Sequence, residues 1–358
     1  MYENQQVVVS YKNDDIWSIE SPLEKSIKQK IEKKGIPLKD WDIEIYRGIL
    51  TGYNEAFIIS KQKRDEIISQ DPKNAEIIHP ILRGRDLKRY TIEYNDLYLI
   101  NAHNGYKNYP RINIDDYPTI KNHLEQYIEK LEKRYDKGDT PYNLRNCAYV
   151  DEFSGEKIIY QEMVQESSFA YHETGTMFCV DTGRIITGKS LKYILAVVNT
   201  NFFFWCIKNF YAGGGLGEKG VRMKHTFFEK FPLVKPESEQ PFAEKADQML
   251  ALNKDLQEVS AKFQRTLQRK FPEALEKLPK KLESWYELSF TDFVKELNKK
   301  KIKLSLGDEA EWEDYFLAEQ LKALALKTQI DTTDKDIDQM VYELYGLNAE
   351  EIKIIEKC

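Results

Sequence analysis

Apolar positions change period several times along the chain, and each change marks an element. Leu23, Ile27 and Ile31 recur at spacing four behind Ser21-Pro22-Leu23-Glu24. That start has Ser as N-cap, Pro at the first helical position and Glu three residues on to complete a capping box, with Gly35 as the stop. One apolar stripe on so short a helix demands a cover. From Asp42 to Ser60, β-branched and aromatic residues flank Thr51-Gly52-Tyr53-Asn54, which predicts two strands joined as a hairpin, with Thr51, Gly52 and Asn54 shaping the turn. Helical spacing follows over 61–69 and over 118–135, where Ile120, Leu124, Ile128 and Leu131 share a face. Runs such as DLYLIN and EKIIYQEMV read as strands, and Leu191 to Tyr211 as a buried helix.

Past Pro236 the pattern becomes helical throughout. Met249, Leu252, Leu256, Val259 and Phe263 alternate three and four apart in a coiled-coil-type helix over about 241–270, and further helices are expected over 308–329, 333–344 and 349–356. The fold class expected is α+β: a mixed α/β domain followed by a helical spacer and a C-terminal helical portion. The boundaries drawn are 1–40 for an N-terminal linker and short helix, 41–235 for the mixed domain, and 236–358 for the helical region. No internal repeat or low-complexity segment is visible.

Composition agrees with an ordered chain. Of 358 residues 41% are hydrophobic and 31% charged, enough to bury a sizeable core. The N-terminal MYENQQVVVSYKNDD lacks the basic and apolar regions of a signal peptide, and 191–211 contains Lys192, Asn199, Asn201 and Lys208, too polar for a membrane span. Cysteines at 147, 179, 206 and 358 are too widely spaced for a zinc or redox pair, which fits a reducing cytoplasm.

Charge is uneven. The formal net charge is -6, yet 331–358 alone carries -5, whereas 79–111 carries +3 and 205–235 carries +4. A basic surface can therefore coexist with global acidity. In the first basic window Arg83, Arg85, Lys88 and Arg89 surround Gly84 and Tyr90; Arg forks suit phosphate or the guanine edge, Lys suits phosphate, and the bland alternative is a solvated turn with one Arg paired to Asp86. In the second, Gly213 to Gly220 contains a formal G-x-G-x-x-G, but a helical segment precedes it where the dinucleotide fingerprint needs a strand, and Lys219 is not followed by Ser or Thr as in a P-loop. A glycine-rich loop beside Lys219, Arg222 and Lys224 can instead bring backbone N–H groups and charge to a phosphate chain, or be a plain surface loop. Twelve of the 22 tyrosines lie between Tyr90 and Tyr171, most of them suited to strand packing.

Groups that do chemistry are scarce. The histidines at 79, 103, 123, 172 and 225 do not pair at metal-ligand spacing, G-x-S-x-G is absent, and the clearest nuclease-like E-x-K, Glu351-Ile352-Lys353, reads as a solvated face of the last helix. Neither Asn-Pro-Pro-Tyr nor Asp-Pro-Pro-Tyr occurs, so the catalytic motif of an amino methyltransferase is missing.

An ordered series of segments carries a resemblance: YRGILTGYNEAF from Tyr46, IIHPILRGRDLKRY, YLINAHNGY, PYNLRNCAYVDEFSGEKIIYQEM, GKSLKYILAVVNTNFFFW, YAGGGLGEKGVRMK, FEKFPL and IDQMVYELYGLNAEEIKIIE. From about residue 20 onward the chain resembles the TaqI-like C-terminal specificity domain of adenine-specific DNA methyltransferases and of type IIG (type II) restriction-modification enzymes. The resemblance implies a chain that is itself non-catalytic and recognises double-stranded DNA. Its partner would be a methyltransferase or endonuclease catalytic domain that binds S-adenosylmethionine, uses magnesium for cleavage and flips out adenine. Such a chain would be either a piece of a longer enzyme or a separate specificity subunit. The expected DNA contacts are Arg83, Arg85, Lys88, Arg89, Lys219, Arg222 and Lys224, mostly to phosphate, with Tyr106, Lys107, Tyr109, Arg111, Tyr142 and Arg145 as base or sugar contacts. The long helix resembles the spacer helices of specificity subunits, and the acidic terminal helices would be scaffold or a docking surface for the catalytic domain. Alternatives are the specificity module of a phage-defence methyltransferase, a protein-interaction scaffold without DNA affinity, and an autonomous nuclease.

Overall fold

The N-terminal helix forms as its capping box dictates. In the computed structural model, which describes residues 21–212, 215–216 and 220–357, Glu24 N donates to Ser21 Oγ at 3.2 Å and Ser21 N donates to the Glu24 carboxylate at 2.6 Å. The helix runs Pro22–Lys34 with Ile27 and Ile31 fully buried. The strand Pro232–Leu233 and the far end of the chain both pack against it, and there Glu351, in the helix Ala349–Ile355, takes Ser26 Oγ at 2.8 Å and Lys30 Nζ at 2.7 Å. Glu351 is thus an anchor with no exposed surface, which corrects the solvated face expected of that E-x-K. Burial alone would raise its carboxyl pKa, but the hydrogen bonds from Lys30, Asn348 and Ser26 outweigh it and hold the group below its usual range.

The chain divides into two units, one comprising 1–242 with 338–358 and the other 243–337. The C-terminal helices therefore do not all belong to one helical region after 235. Tyr345 explains why, since its ring packs 4.6 Å from Phe202 and its hydroxyl donates to Pro232 O at 2.7 Å, within the first unit.

The first unit holds two four-stranded sheets. One is antiparallel, in the order Ala170–His172, Lys157–Gln161, Gly183–Gly188, Ile43–Arg47. The other has the order Phe178–Cys179, Ile78–Leu82, Leu97–Ile100, Ile58–Ser60, with only the first pair parallel. The expected hairpin over 42–60 does not form, because Ile43–Arg47 and Ile58–Ser60 lie in different sheets. Gly48 sends the chain across: it lies against residues 179–180 so closely that a Cβ would sit 2.0 Å from the Val180 carbonyl oxygen. Gly52 does take φ +68°, but Thr51 Oγ1 bonds Asn54 Oδ1 at 2.6 Å, and a helical turn Asn54–Phe57 follows in place of a two-residue hairpin loop.

The predicted helix over 118–135 is two short ones, Pro118–Glu125 and Ile128–Lys133. The apolar stretch 191–211 breaks where Asn199 turns its amide onto the Phe169 backbone at 2.9 and 3.1 Å and Thr200 caps Phe203 N at 3.1 Å. Leu191–Val198 and Asn201–Cys206 result, followed by a wider turn over 207–211. Among the described residues no helix is long and apolar enough to cross a membrane.

The second unit is helical. Phe263 and Trp285 stack at 3.7 Å in a core with Phe293, Trp312 and Phe316. The helix Gln240–Lys270 matches the expected spacer pattern. Leu306–Tyr345 is continuous where two helices were expected, since no Gly or Pro lies between Gln329 and Thr333 and Ile330 and Thr333 are both buried. Phe290–Lys299, capped by Ser289, went unpredicted.

Candidate nucleic-acid interface

Three groups of polar side chains on the first unit bear on binding. The first is built on strands. At the end of Ile43–Arg47 the Tyr46 ring stacks on Tyr149 at 4.6 Å, and Arg47 donates to Asp181 O at 3.1 Å and to its carboxylate at 3.3 Å. Arg184 lies directly across the sheet from Arg47. It is buried and donates to Glu162 Oε2 at 2.5 Å, while Arg222 Nε donates to Glu162 Oε1 at 2.7 Å. One buried carboxylate thus serves two guanidiniums. Lys224 is exposed and makes no ion pair among the described residues. Tyr46, Arg47, Tyr149, Arg184, Arg222 and Lys224 line a hollow of about 350 Å³ whose charge balance is positive. A positive, partly walled hollow concentrates field and attracts a polyanion.

The glycine-rich segment supplies Arg222 by pairing as strands. Gly215–Leu216 lies antiparallel to Gly220–Arg222, which in turn pairs with Met163–Val164 beside Glu162. Lys219, a predicted contact, lies outside the described residues.

The second group is a loop cluster. Tyr106 and Tyr109 stack at 4.9 Å and exchange backbone hydrogen bonds at 3.1 and 2.8 Å, with Gly105 and Lys107 at positive φ in the tight turn. Lys107 pairs with Asp151; Arg111 pairs with Asp139 at 3.2 Å and Arg145 with Asp136 at 2.9 Å. The Asp151 hydrogen bond raises the Lys107 pKa and lowers that of Asp151 in return. Asn104 ties two of the loops, donating to Asp139 Oδ1 at 3.0 Å and accepting from Asp139 N at 2.9 Å. Arg134 holds the cluster to the 51–54 turn through the carbonyls of Thr51, Pro141 and Asn143. Burial without a bonded carboxylate lowers its pKa to about 10. Tyr142 stands at the side, its hydroxyl 3.4 Å from Glu125.

The third group is the 83–89 turn. Asp86, with no exposed surface, accepts from Arg83 N at 2.7 Å and Asn95 Nδ2 at 2.9 Å, which fixes the turn. Arg83 Nη2 is 3.5 Å from the same carboxylate, Lys88 is 3.7 Å from Glu93, and Arg89 donates to Asn199 O at 2.5 Å. Arg85 alone of the four points out unpaired among the described residues. Gly84 lies against the end of the Gln161 side chain, where a Cβ would sit 2.2 Å from it unless that side chain moved. That contact brings the turn against the strand leading to Glu162.

Sequence reasoning missed Arg47, Arg184, Glu162, Tyr46 and Tyr149. A lone arginine at the end of an apolar strand, as in Ile45-Tyr46-Arg47, was the available signal. Glu162 gave none, because its two partners are 22 and 60 residues away.

Residues 79–233 match the TaqI-like C-terminal specificity domain. The specificity-domain match takes in all the predicted contacts and leaves Tyr46 and Arg47 just upstream. Residues 235–341 match a domain of unknown function, DUF8810. No curated protein matches the chain. Among solved structures, the type IIL restriction-modification enzyme MmeI in complex with DNA aligns at TM-score 0.54 and 11% identity over 90% of this chain and 35% of the MmeI chain. The type IIG restriction endonuclease BpuSI aligns at TM-score 0.43 and 14% identity, covering 63% of this chain and 27% of that one. The likeness to MmeI establishes a shared fold, and the chain spans about a third of that enzyme's length.

Proposed function

We propose that this chain reads a target sequence in double-stranded DNA for a restriction-modification enzyme of the adenine-methylating type II class, with catalysis carried by a separate domain. The observation that carries the reading is the hollow in which Arg184 and Arg222 share Glu162 while Arg47 and Lys224 flank them, inside and just upstream of a specificity-domain match. In this reading phosphate contacts by Lys224, Arg85 and Lys88 set position and confer salt dependence. Arg222 is held by one nitrogen, and its remaining N–H groups suit the guanine edge in the major groove. The Tyr106–Tyr109 pair and Arg111, Arg145 and Tyr142 supply contacts to the flanking sugar and bases. S-adenosylmethionine and magnesium belong to the catalytic partner.

The test is fluorescence anisotropy on a random duplex pool at two salt concentrations, with sequencing of the retained fraction. Enrichment of one short motif, with affinity that falls steeply as salt rises, is the expected result. Absence of binding at low salt would refute the reading and leave a protein-interaction scaffold.

A further inference from the structure

The basic windows of the first unit are exceeded by a third. Residues 262–303, in the helical second unit and inside the DUF8810 match, carry twelve basic side chains against six acidic, a balance of +6. Residues 304–337 of the same unit carry three basic against nine acidic, so the positive stretch is not a property of the unit as a whole.

Folding gathers part of this charge on one face. The helix Phe290–Lys299 buries Phe293 and Leu297, and Phe290 and Phe293 pack on Phe316 of the acidic helix at 5.6 and 4.9 Å. Asp292, Lys295, Glu296 and Lys299 recur three and four apart, which at about 100° per residue turns them away from that contact. Glu296 accepts from Lys299 Nζ at 2.7 Å and lies 3.6 Å from Lys281 Nζ, on the short helix Lys280–Glu283. Glu296 is 8% exposed, whereas the Lys281 and Lys299 side chains are 68% and 63% exposed. The acid therefore lies beneath and the ammonium groups face outward. Lys295 pairs with Asp292 at 2.8 Å, while Lys280, Lys300 and Lys301 are exposed with no carboxylate partner among the described residues. Six lysines thus stand over two carboxylates. A helix C-terminus accounts for cations at Lys299 and Lys300, but Lys280 and Lys281 open a helix, where the dipole disfavours positive charge. Lys301 has φ +63°, in the left-handed conformation usually given to glycine after a helix.

We propose that this lysine face of the second unit is a further DNA-binding surface, one that holds the phosphate backbone of duplex DNA without reading its sequence. A lysine ammonium is a hydrated point charge that suits phosphate, and phosphate contacts carry no sequence information. Lysine is depleted in contacts between proteins, and none of the large apolar side chains exposed among the described residues lies within 262–303 to anchor a protein partner. The surface adds affinity for any duplex to what the hollow supplies. That the polyanion is duplex DNA rests on the proposed function; the charge geometry does not.

The test uses the full chain and a variant that removes only lysines without an ion pair, Lys280→Gln, Lys300→Gln and Lys301→Gly, the last matched to its positive φ. At about 0.9 per phosphate contact, its slope of log K against log salt should be shallower by up to about 2.7, equally on the selected duplex and on a scrambled one, with the enriched motif and the melting temperature unchanged. A control with the same loss of charge outside the basic stretch, Lys254→Gln, Lys327→Gln and Lys335→Gln, should leave the slope near that of wild type. A wild-type slope in the first variant would overturn the inference, and so would an equal fall in the control, which would assign the effect to net charge. Polyglutamate bound as tightly as duplex, and released by the same three substitutions, would overturn it in favour of an acidic protein surface. The two readings fail separately. Duplex binding that depends on the lysines but enriches no motif would sink target reading and leave this surface standing, whereas an enriched motif with an unchanged slope would do the reverse.

Discussion

The strand-borne hollow and the loop cluster hold similar side chains but pair them differently. In the hollow Arg47 has an aspartate of its own, Asp181, but Arg184 and Arg222 share the single carboxylate of Glu162, and Lys224 has no ionic partner among the described residues. In the loops Lys107, Arg111 and Arg145 each have their own aspartate. A phosphate approaching the hollow meets uncompensated charge on strands already fixed by the sheet. One approaching the loops must compete with an acid for every cation. Counting basic residues along the sequence treats the two regions alike, and the pairing separates them: the hollow can supply electrostatic affinity, while the loops, with two stacked and partly exposed tyrosines, suit contacts that depend on shape.

The largest effect that would break this comparison comes from Glu162. Replacing it by Ala strands the buried Arg184 guanidinium, and a broken buried pair costs about 3–5 kcal/mol, read as a lower urea midpoint. A near-normal midpoint would mean that Arg184 finds another partner and that the hollow is not built on Glu162. Next comes Arg222→Ala, expected to cost about 1–3 kcal/mol of DNA binding and to relax selectivity at one position of the target, with little change in melting temperature because its side chain is half exposed. Asp139→Asn should act in the opposite direction, freeing Arg111 and tightening DNA binding at low salt by roughly twofold, the scale of an exposed pair.

Acidification sharpens the comparison at its smallest scale. Burial pulls the pKa values of His79, His103, His123 and His172 below the ordinary 6.5. The unfolded chain therefore binds protons at a higher pH than the folded one, and stability falls as pH drops below about 6.5 and on toward the folded values. His123 is one contributor, its burial outweighing the hydrogen bond its ring makes to Ala56 O at 2.9 Å. Thermal melts from pH 7.5 to pH 5.5 should decline, and His123→Gln should make the decline shallower.

How much of this was readable from the sequence depended on range. Ser21 to Gly35 was legible to the residue because a capping box is local. The helix Gln240–Lys270 followed from its three-four spacing. The 42–60 hairpin misled because its local pattern was sound: two strands and a glycine with positive φ are both present, yet Gly48 hands the chain to a second sheet through contacts with residues 179–180, about 130 positions away. Among the site residues, the basic clusters were visible as composition. Which of their cations are neutralised was not, since Arg111 meets its acid 28 residues on and Arg222 meets Glu162 60 residues back. Glu351 was misjudged for the same reason, its partners lying more than 300 residues upstream.

The most direct test of the account is the salt dependence of binding to the selected duplex for wild type and for the combined variant Arg47→Ala, Arg222→Ala, Lys224→Ala. Each lost phosphate contact lowers the slope of log K against log salt by about 0.9, so with Arg47 and Lys224 on phosphate and Arg222 on a base edge the variant's slope should be shallower by up to about 1.8. Removal of a whole loop pair, Arg111→Ala with Asp139→Ala, should change it by less than about 1. An unchanged slope in the triple variant would contradict the claim that the hollow is where this chain holds DNA.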